Sequence, residues 1–385
     1  MKDKSSGTKL IHISDLHLGK RVNEFSMIDD QRYILKEILT IIKEEKADGV
    51  LIAGDIYDRS IPSEDAMLLW DEFLLSLAEM KMPVFVISGN HDSAVRLSDH
   101  AALISAGGIH IAGLYDGNAS CVSLEDKEGK INIYMLPFIK PVQLRNLFPD
   151  EEINDYTDAC RVAIEHMEID TSERNVLMAH QFVTGATRCE SEEITVGGLD
   201  NVDASVFDDF DYVALGHLHG KQKIKRDEVR YCGTPLKYSF SEKDHAKSVT
   251  VVELGSKGDV RISERLLTPL HDLREIRGTY EEVTDRKNYE GTAVDDYLKI
   301  VLTDENDIPE AIGKLRVIYK NLMKLEYDNA RTRNREMMTD AEDVENKSPL
   351  ELFAEFYEKQ NSTPMTDEQR ELVLECIESV WGDGS

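Results

Sequence analysis

The sequence predicts an α/β fold, followed by a small α+β domain and terminal helices. Three observations carry that expectation. Short apolar runs recur through the first two-thirds of the chain. Amphipathic helical patterns separate them. Near Leu270 the composition shifts to a shorter strand–strand–helix–strand pattern.

The runs "KLIHI" (Lys9–Ile13), "GVLIA" (Gly49–Ala53) and "PVFVI" (Pro83–Ile87) are apolar on both faces, as buried parallel strands are. One helical pattern covers about Gln31–Glu45, with Ile34, Ile38, Ile41 and Ile42 on one face. Another covers about Ser63–Met80, and its "PSED" supplies a start signal. The β-α-β-α-β order implies parallel strands. Further strands are expected at "INIYML", "NVLMAH" and "YVALGH", and antiparallel pieces at "EVRYCG" and "SVTVVEL". Beyond Leu270, "HDLREIRGTYEEVT", "YLKIVLTDE", "PEAIGKLRVIYKNL" and "MKLEYDNA" give the small domain. A polar, acidic linker is expected over 330–347. Two amphipathic helices, "SPLELFAEFYEKQ" and "TDEQRELVLECIESVW", follow it. They either pack on their own domain or dock on another protein.

The chain has 385 residues, 41% hydrophobic and 31% charged, which suits a globular protein larger than one compact core. No apolar run reaches the roughly 20 residues that span a bilayer. The start, "MKDKSSGTKLIHI", lacks the apolar stretch of a signal peptide. Five scattered cysteines without a CxxC read as reduced thiols in the cytoplasm. The formal charge of −29 argues against indiscriminate attraction to polyanions, but binding also depends on local patches and metals.

Metal-type residues gather at the carboxyl ends of the expected strands. Asp15 and His17 lie in "SDLHLG", Asp55 in "GDIYDR", and Asn90 and His91 in "GNHD". His180 closes "NVLMAH", and His217 and His219 close "YVALGHLH". In an open α/β fold such ends converge on one crevice. A single strand-end Asp is commonly a turn residue and a single buried His a core residue. Five clusters at equivalent places are not accounted for that way. Carboxylate, imidazole and amide oxygen without thiolate suit Mn, Fe or Zn rather than a structural zinc or an all-oxygen magnesium cage. The ligands are too many for one ion. Two ions about 3.5–4 Å apart need a bridging anion, which a carboxylate can supply.

The series Asp-x-His, Gly-Asp-x-x-Asp-Arg, Gly-Asn-His-Asp, a lone His and Gly-His-x-His, from Ile13 to His219, resembles that of the calcineurin-like metallophosphoesterases. Over nearly its whole length the chain is similar to the SbcD nuclease subunits of bacterial SbcC–SbcD complexes. That likeness rests on "HISDLHLGK", "GDIYDRSIPS", "GNHDS", "GHLHGKQ", "YCGTPLKYSFSE" and "SPLELFAEFYEKQ". The resemblance implies a four-layer α-β-β-α core over 1–269 and a capping, DNA-contacting α+β domain over 270–329. After the linker, helices over 348–385 would dock on the SbcC coiled coil. It implies that Asp15, His17 and His219 hold one ion, that Asn90, His180 and His217 hold the other, and that Asp55 bridges two ions, expected to be Mn²⁺. His91 would protonate or stabilise the leaving oxygen, and Asp58 would hydrogen-bond and orient His91. Archaeal and eukaryotic relatives have a histidine at the Asp58 position. Asp92 is expected to cap its turn or support His91 rather than bind metal.

The implied activity is a Mn²⁺-dependent 3′→5′ double-strand exonuclease and hairpin or single-strand endonuclease, acting with the ATPase SbcC in DNA end processing, repair, recombination and replication. The implied assembly is a homodimer within a heterotetramer, in the cytoplasm at the nucleoid. This chain has no G-x-x-x-x-G-K-[ST] loop, so ATP dependence would come from the partner. Lys20, Arg21, Arg59, Arg96, Lys221, Lys223, Lys225 and Arg226 follow the motifs and suggest a rim for a polyanion backbone. The motifs fit equally a metallophosphodiesterase for a nucleotide or other small molecule, and a third reading is a non-enzymatic scaffold with a decayed site. The capping domain and terminal helices separate the first reading from the second, and the complete ligand set opposes the third.

Overall fold

The computed structural model describes residues 7–99, 101–189, 192, 201–330 and 332, and from the C-terminal segment 350, 353, 354, 357, 358, 364–366, 369, 370, 372 and 373. Two six-stranded sheets form its centre. The first runs, in spatial order, Val260–Leu266, Ser248–Leu254, Thr8–Ile13, Gly49–Ala53, Val84–Ile87 and Ile109–Ala112. Its last four strands are parallel, and the first two pair antiparallel. The second sheet runs Gln222–Ile224, Arg226–Tyr231, Tyr212–Gly216, Arg174–His180, Gly129–Leu136 and Ser120–Asp126. Its four inner strands are parallel and its two edge strands antiparallel.

The apolar runs arise because both faces of each central strand are covered. Leu10, Leu51, Phe85 and Ile87 point from the first sheet toward Ile131, Ile133, Met135, Val176 and Met178 of the second. Their neighbours Ile11, Val50, Ile52, Val84 and Val86 point outward beneath the helices Ile28–Glu45 and Glu64–Glu79. On the other side Tyr134, Leu136, Leu177, Val213 and Leu215 pack under Tyr156–Glu165. The result is four layers, α-β-β-α. Ser63 caps its helix by accepting from the Ala66 N–H at 3.3 Å, as the "PSED" signal predicts.

One pairing differs from the sequence expectation. Arg226–Tyr231 is antiparallel only to Gln222–Ile224 and pairs parallel with Tyr212–Gly216. The chain turns at Lys225 in the left-handed region (φ 57°), which forms the hairpin. The intervening 217–221 loop returns the chain to run beside its parallel neighbour. A three-stranded sheet of Leu273–Gly278, Tyr297–Leu302 and Leu322–Tyr327 follows, with Tyr297–Leu302 in the middle. The expected helix over "PEAIGKLRVIYKNL" is a single short one, Ala311–Leu315.

By contacts the chain divides into two compact units. One comprises 1–276, 286–300 and 312–325, and the other 277–285, 301–311 and 326–385. In the second, Thr279 and Glu282 form a reciprocal capping box on Tyr280–Thr284. The expected linker over 330–347 and the terminal helices over 348–385 lie largely outside the described residues. No helix among the described residues is long and apolar enough to cross a membrane.

Candidate metal centre

The parallel strands of both sheets end at one place, and the turns leaving them carry the candidate residues. Asp15 (φ 53°), His17 (44°), Asp55 (49°) and His217 (107°) are four of the eleven non-glycine residues with positive φ among those described. Such conformations cost about 1–3 kcal/mol each and persist where surrounding structure imposes them. Here the imposition is visible. The Asp15 N–H donates to the Gly54 carbonyl and the His17 N–H to the Asp55 carbonyl, each at 3.0 Å. The His217 N–H donates to Asp15 Oδ1 at 2.9 Å. Gly216 has to be glycine, because a methyl there would overlap the Ala53 carbonyl oxygen. Gly89 is likewise confined by the Asp55 carboxylate.

Two groups of donor atoms result, with one carboxylate between them. His17 Nε2 and His219 Nε2 lie 3.2 Å apart beside the buried Asp15. Asn90 Oδ1 lies 3.1 Å from His180 Nε2 and 2.9 Å from His217 Nδ1. Asp55 Oδ2 lies 3.3 Å from His180 Nε2 and 3.8 Å from His17 Nε2, within reach of both groups. Its other oxygen, Oδ1, accepts the His91 N–H at 2.9 Å. Asp15, His17 and Asp55 each offer a ligand atom within 4.8 Å of the others.

The tautomers follow from the partners. His180 Nδ1 lies 2.8 Å from the Ala53 carbonyl oxygen, which only accepts, so Nδ1 carries a proton and Nε2 is directed at the Asn90 and Asp55 oxygens. His219 Nδ1 faces the Glu242 carboxylate at 3.3 Å, which favours a proton on Nδ1 and directs Nε2 into the site. Burial holds His17 well below the usual imidazole range and His217 at about 3, so both are neutral. Burial also pushes Asp15 up to about 6. Burial works to raise Asp55 too, but the neighbouring His180, His17 and His91 hold it well below the usual range. In return the Asp55 carboxylate draws His180 upward against its burial. Imidazole nitrogens, two carboxylates and an amide oxygen, nearly all buried, are a donor set that divalent cations fit.

His91 stands apart from these groups. Its ring meets that of His17 edge-on at 4.8 Å, and its Nε2 is 4.0 Å from Asp55 Oδ2. The expected link to Asp58 exists, but it needs correction. His91 Nδ1 donates to the Asp58 main-chain carbonyl at 3.0 Å, not to its carboxylate. The carboxylate is turned to Lys20 Nζ at 2.8 Å and lies 3.9 Å from His17 Nδ1. A cation beside it draws the carboxylate away, while the turn leaves the carbonyl free to face His91. Asp92 accepts from the Gly89, Ile56 and Tyr57 N–H groups at 2.9, 3.1 and 3.0 Å, which ties the "GNHD" turn to the "GDIYD" turn.

The basic residues after the motifs are mostly committed. Lys221 pairs with Glu264, Lys223 with Asp227 and Lys225 with Asp203. Arg226 donates to the Phe207 and Phe210 carbonyls. Arg59 is 81% exposed, its nearest carboxylate that of Asp58 at 3.7 Å. Several supporting residues carry no motif and escaped the sequence reading. Gln31 donates to the His17 carbonyl at 2.7 Å, and Tyr238 OH to the Leu16 carbonyl at 2.6 Å. Glu192 accepts the His219 N–H at 2.6 Å, and Glu242 stands behind the His219 ring. Glu242 closes the "YCGTPLKYSFSE" stretch, but no ligand-like spacing marks it.

Comparison with known families gives two matches. Residues 8–221 match the model of the calcineurin-like phosphoesterases. Residues 269–361 match SbcD_C, described as the type 5 capsule protein repressor C-terminal domain. Among solved structures, a dimetal phosphatase from Danio rerio shares 13% identity over 68% of this chain and 96% of its own, with a TM-score of 0.40. The Thermus thermophilus protein TT1561 shares 10% over 67% of this chain and 99% of its own, with a TM-score of 0.37.

Proposed function

The chain belongs to the calcineurin-like phosphoesterase family and carries an SbcD-type C-terminal domain, and from that premise we propose that it is the Mn²⁺-dependent nuclease of a complex with an SbcC-type ATPase. As a family member it is a hydrolase with a dinuclear metal site. The observation that carries the finer reading is the union of the two matched regions in one chain, since a small-molecule phosphodiesterase needs no such second domain. In this reading residues 1–269 form the nuclease domain and 270–329 cap it against DNA. Residues 348–385 dock on the partner's coiled coil, and two copies pair within a heterotetramer. The substrates are double-stranded ends, cleaved 3′→5′, and hairpin or single-stranded DNA.

Asp15, His17 and His219 hold one ion in this reading, and Asn90, His180 and His217 the other. The position of Asp55 Oδ2 between the two groups supports its role as the bridge. When bound, such a pair of ions supplies a water ionised near neutral pH and offsets the phosphate's charge. The chain's own part begins with the buried imidazoles directed inward, His17 and His217 neutral and His180 drawn to the protonated side by Asp55. Water oxygen bonds to phosphorus as the P–O ester bond breaks. His91 Nε2 gives its proton to the departing sugar oxygen. The Asp58 carbonyl favours this, because it holds the Nδ1–H and so stabilises the imidazolium that acts as acid.

The test is cleavage of linear double-stranded DNA by purified protein with Mn²⁺. His91→Ala is expected to lose about 10²–10⁴-fold in rate while two ions still bind. Undiminished cleavage in that variant removes the role given to His91. Hydrolysis of a small phosphodiester with no cleavage of DNA, alone or with the ATPase, favours the small-molecule alternative.

A further inference from the structure

The two imidazoles that meet at 3.2 Å, His17 and His219, are supported unequally. His17 Nδ1 is buried without a hydrogen-bond partner, and the nearest carboxylate oxygen, on Asp58, is 3.9 Å away. His219 is held at three points. Its N–H donates to Glu192 at 2.6 Å, its carbonyl accepts from Lys247 Nζ at 2.9 Å, and its Nδ1 faces Glu242 Oε1 at 3.3 Å. Glu242 is fully buried, and its other oxygen accepts from Lys247 Nζ at 2.5 Å. Lys247 also donates to Thr234 Oγ1 at 2.6 Å. Tyr238 N–H donates to Glu242 Oε1 at 3.3 Å and closes the ring of contacts.

A buried ion pair is weak support for stability, since taking two charges out of water offsets most of their attraction. Its position is more telling. The Lys247–Glu242 pair sits directly behind one metal-type imidazole, where a carboxylate fixes the ring's tautomer and orientation and raises its basicity. We infer that Glu242, clasped by Lys247, is a positioning residue that sets the affinity of the ion bound through His219 and leaves the ion at Asn90, His180 and His217 unaffected. The two ions are therefore held with different strengths by design of the scaffold. This inference rests on the assignment of His219 to one of two ions.

The experiment titrates Mn²⁺ into the metal-free full chain, followed by calorimetry and by the paramagnetic signal of free and bound Mn²⁺. Wild type is expected to bind two ions. In Glu242→Gln one ion is expected to weaken by about 10–100-fold while the other is unchanged. The double variant E242Q K247M removes both buried charges together, and it is expected to keep the metal-free melting temperature nearer wild type while one ion stays weak. Two ions bound at wild-type affinity in both variants would overturn the inference and leave the assignment of His219 intact. Failure of the wild type to bind two ions would overturn the assignment itself. If neither variant folds, nitrogen NMR of labelled histidines in the metal-free wild type decides. His219 protonated on Nδ1 is expected, and His219 protonated on Nε2 overturns the inference.

Discussion

The two central sheets contribute to the site in different ways. The first gives every carboxylate and the amide: Asp15, Asp55 and Asn90, with His17 beside them. The second gives imidazoles alone: His180, His217 and His219. The first-sheet residues sit on tight turns braced by main-chain hydrogen bonds, as between Asp15 and Gly54 or His17 and Asp55. The second-sheet imidazoles take their orientation from groups behind the ring, such as the Ala53 carbonyl behind His180 and Glu242 behind His219. One half of the centre is thus braced through its main chain, between neighbouring strand ends, and the other through its imidazole rings. A variant in the first half should spoil a turn, and one in the second should spoil a ring orientation.

The largest expected effect comes from the residue within reach of both groups. Asp55→Asn should lower phosphodiester hydrolysis on the order of 10³-fold or more and weaken both ions, because a neutral amide cannot bridge two cations. His180→Ala should lose one ion and retain the other. Metal counting on the two proteins separates these outcomes, and equal retention in both would break the comparison. Gly216→Ala comes next. The added methyl meets the Ala53 carbonyl where the second sheet abuts the first, and it should cost about 1–3 kcal/mol in chemical unfolding. A neutral result there would mean that the two strand ends can part.

The smallest effect lies at the opposite end of the sheets. Arg174 pairs with Asp126 at 2.5 Å and donates to the Gly255 carbonyl at 3.0 Å, while Thr8 donates to Asp126 at 2.6 Å. Burial tends to raise the Asp126 carboxyl, but the Arg174 and Thr8 bonds prevail and hold it at about 2. A carboxyl lowered in the folded state stabilises above its unfolded value of 3.8 and loses that contribution as pH falls toward 2. Acid unfolding of wild type should therefore steepen between those values, and Asp126→Asn should flatten it. Equal slopes would show that this end is held by the apolar layer alone.

The contrast also explains what could be read in advance. Asp15, His17, Asp55, Asn90 and His91, like His217 and His219, lie in short motifs at strand ends, where the turn leaves a signature in the sequence. The apolar runs were legible for a related reason: both faces of each central strand are covered, so Leu10 and Ile11 are alike apolar though one faces the second sheet and the other a helix. Glu242, Lys247, Gln31 and Tyr238 gave no such signal, since none stands at the end of a parallel strand or at ligand-like spacing. Asp58 shows the limit within a motif. Its position beside His91 was legible, but the choice of carbonyl over carboxylate depends on Lys20, which draws the charge away.

By itself the sequence determined the alternation of strand and helix, the strand ends at which metal-type residues stand, and their chemical kinds. Those are properties of short segments, set by covalent order and local backbone preference. Only the tertiary structure decided that the strands form two sheets packed face to face, that Asp55 falls between two groups of nitrogens, and which nitrogen of His180 and His219 is directed into the site. These depend on partners far apart in sequence, such as Ala53 with His180, and such partners are defined only once the layers have packed.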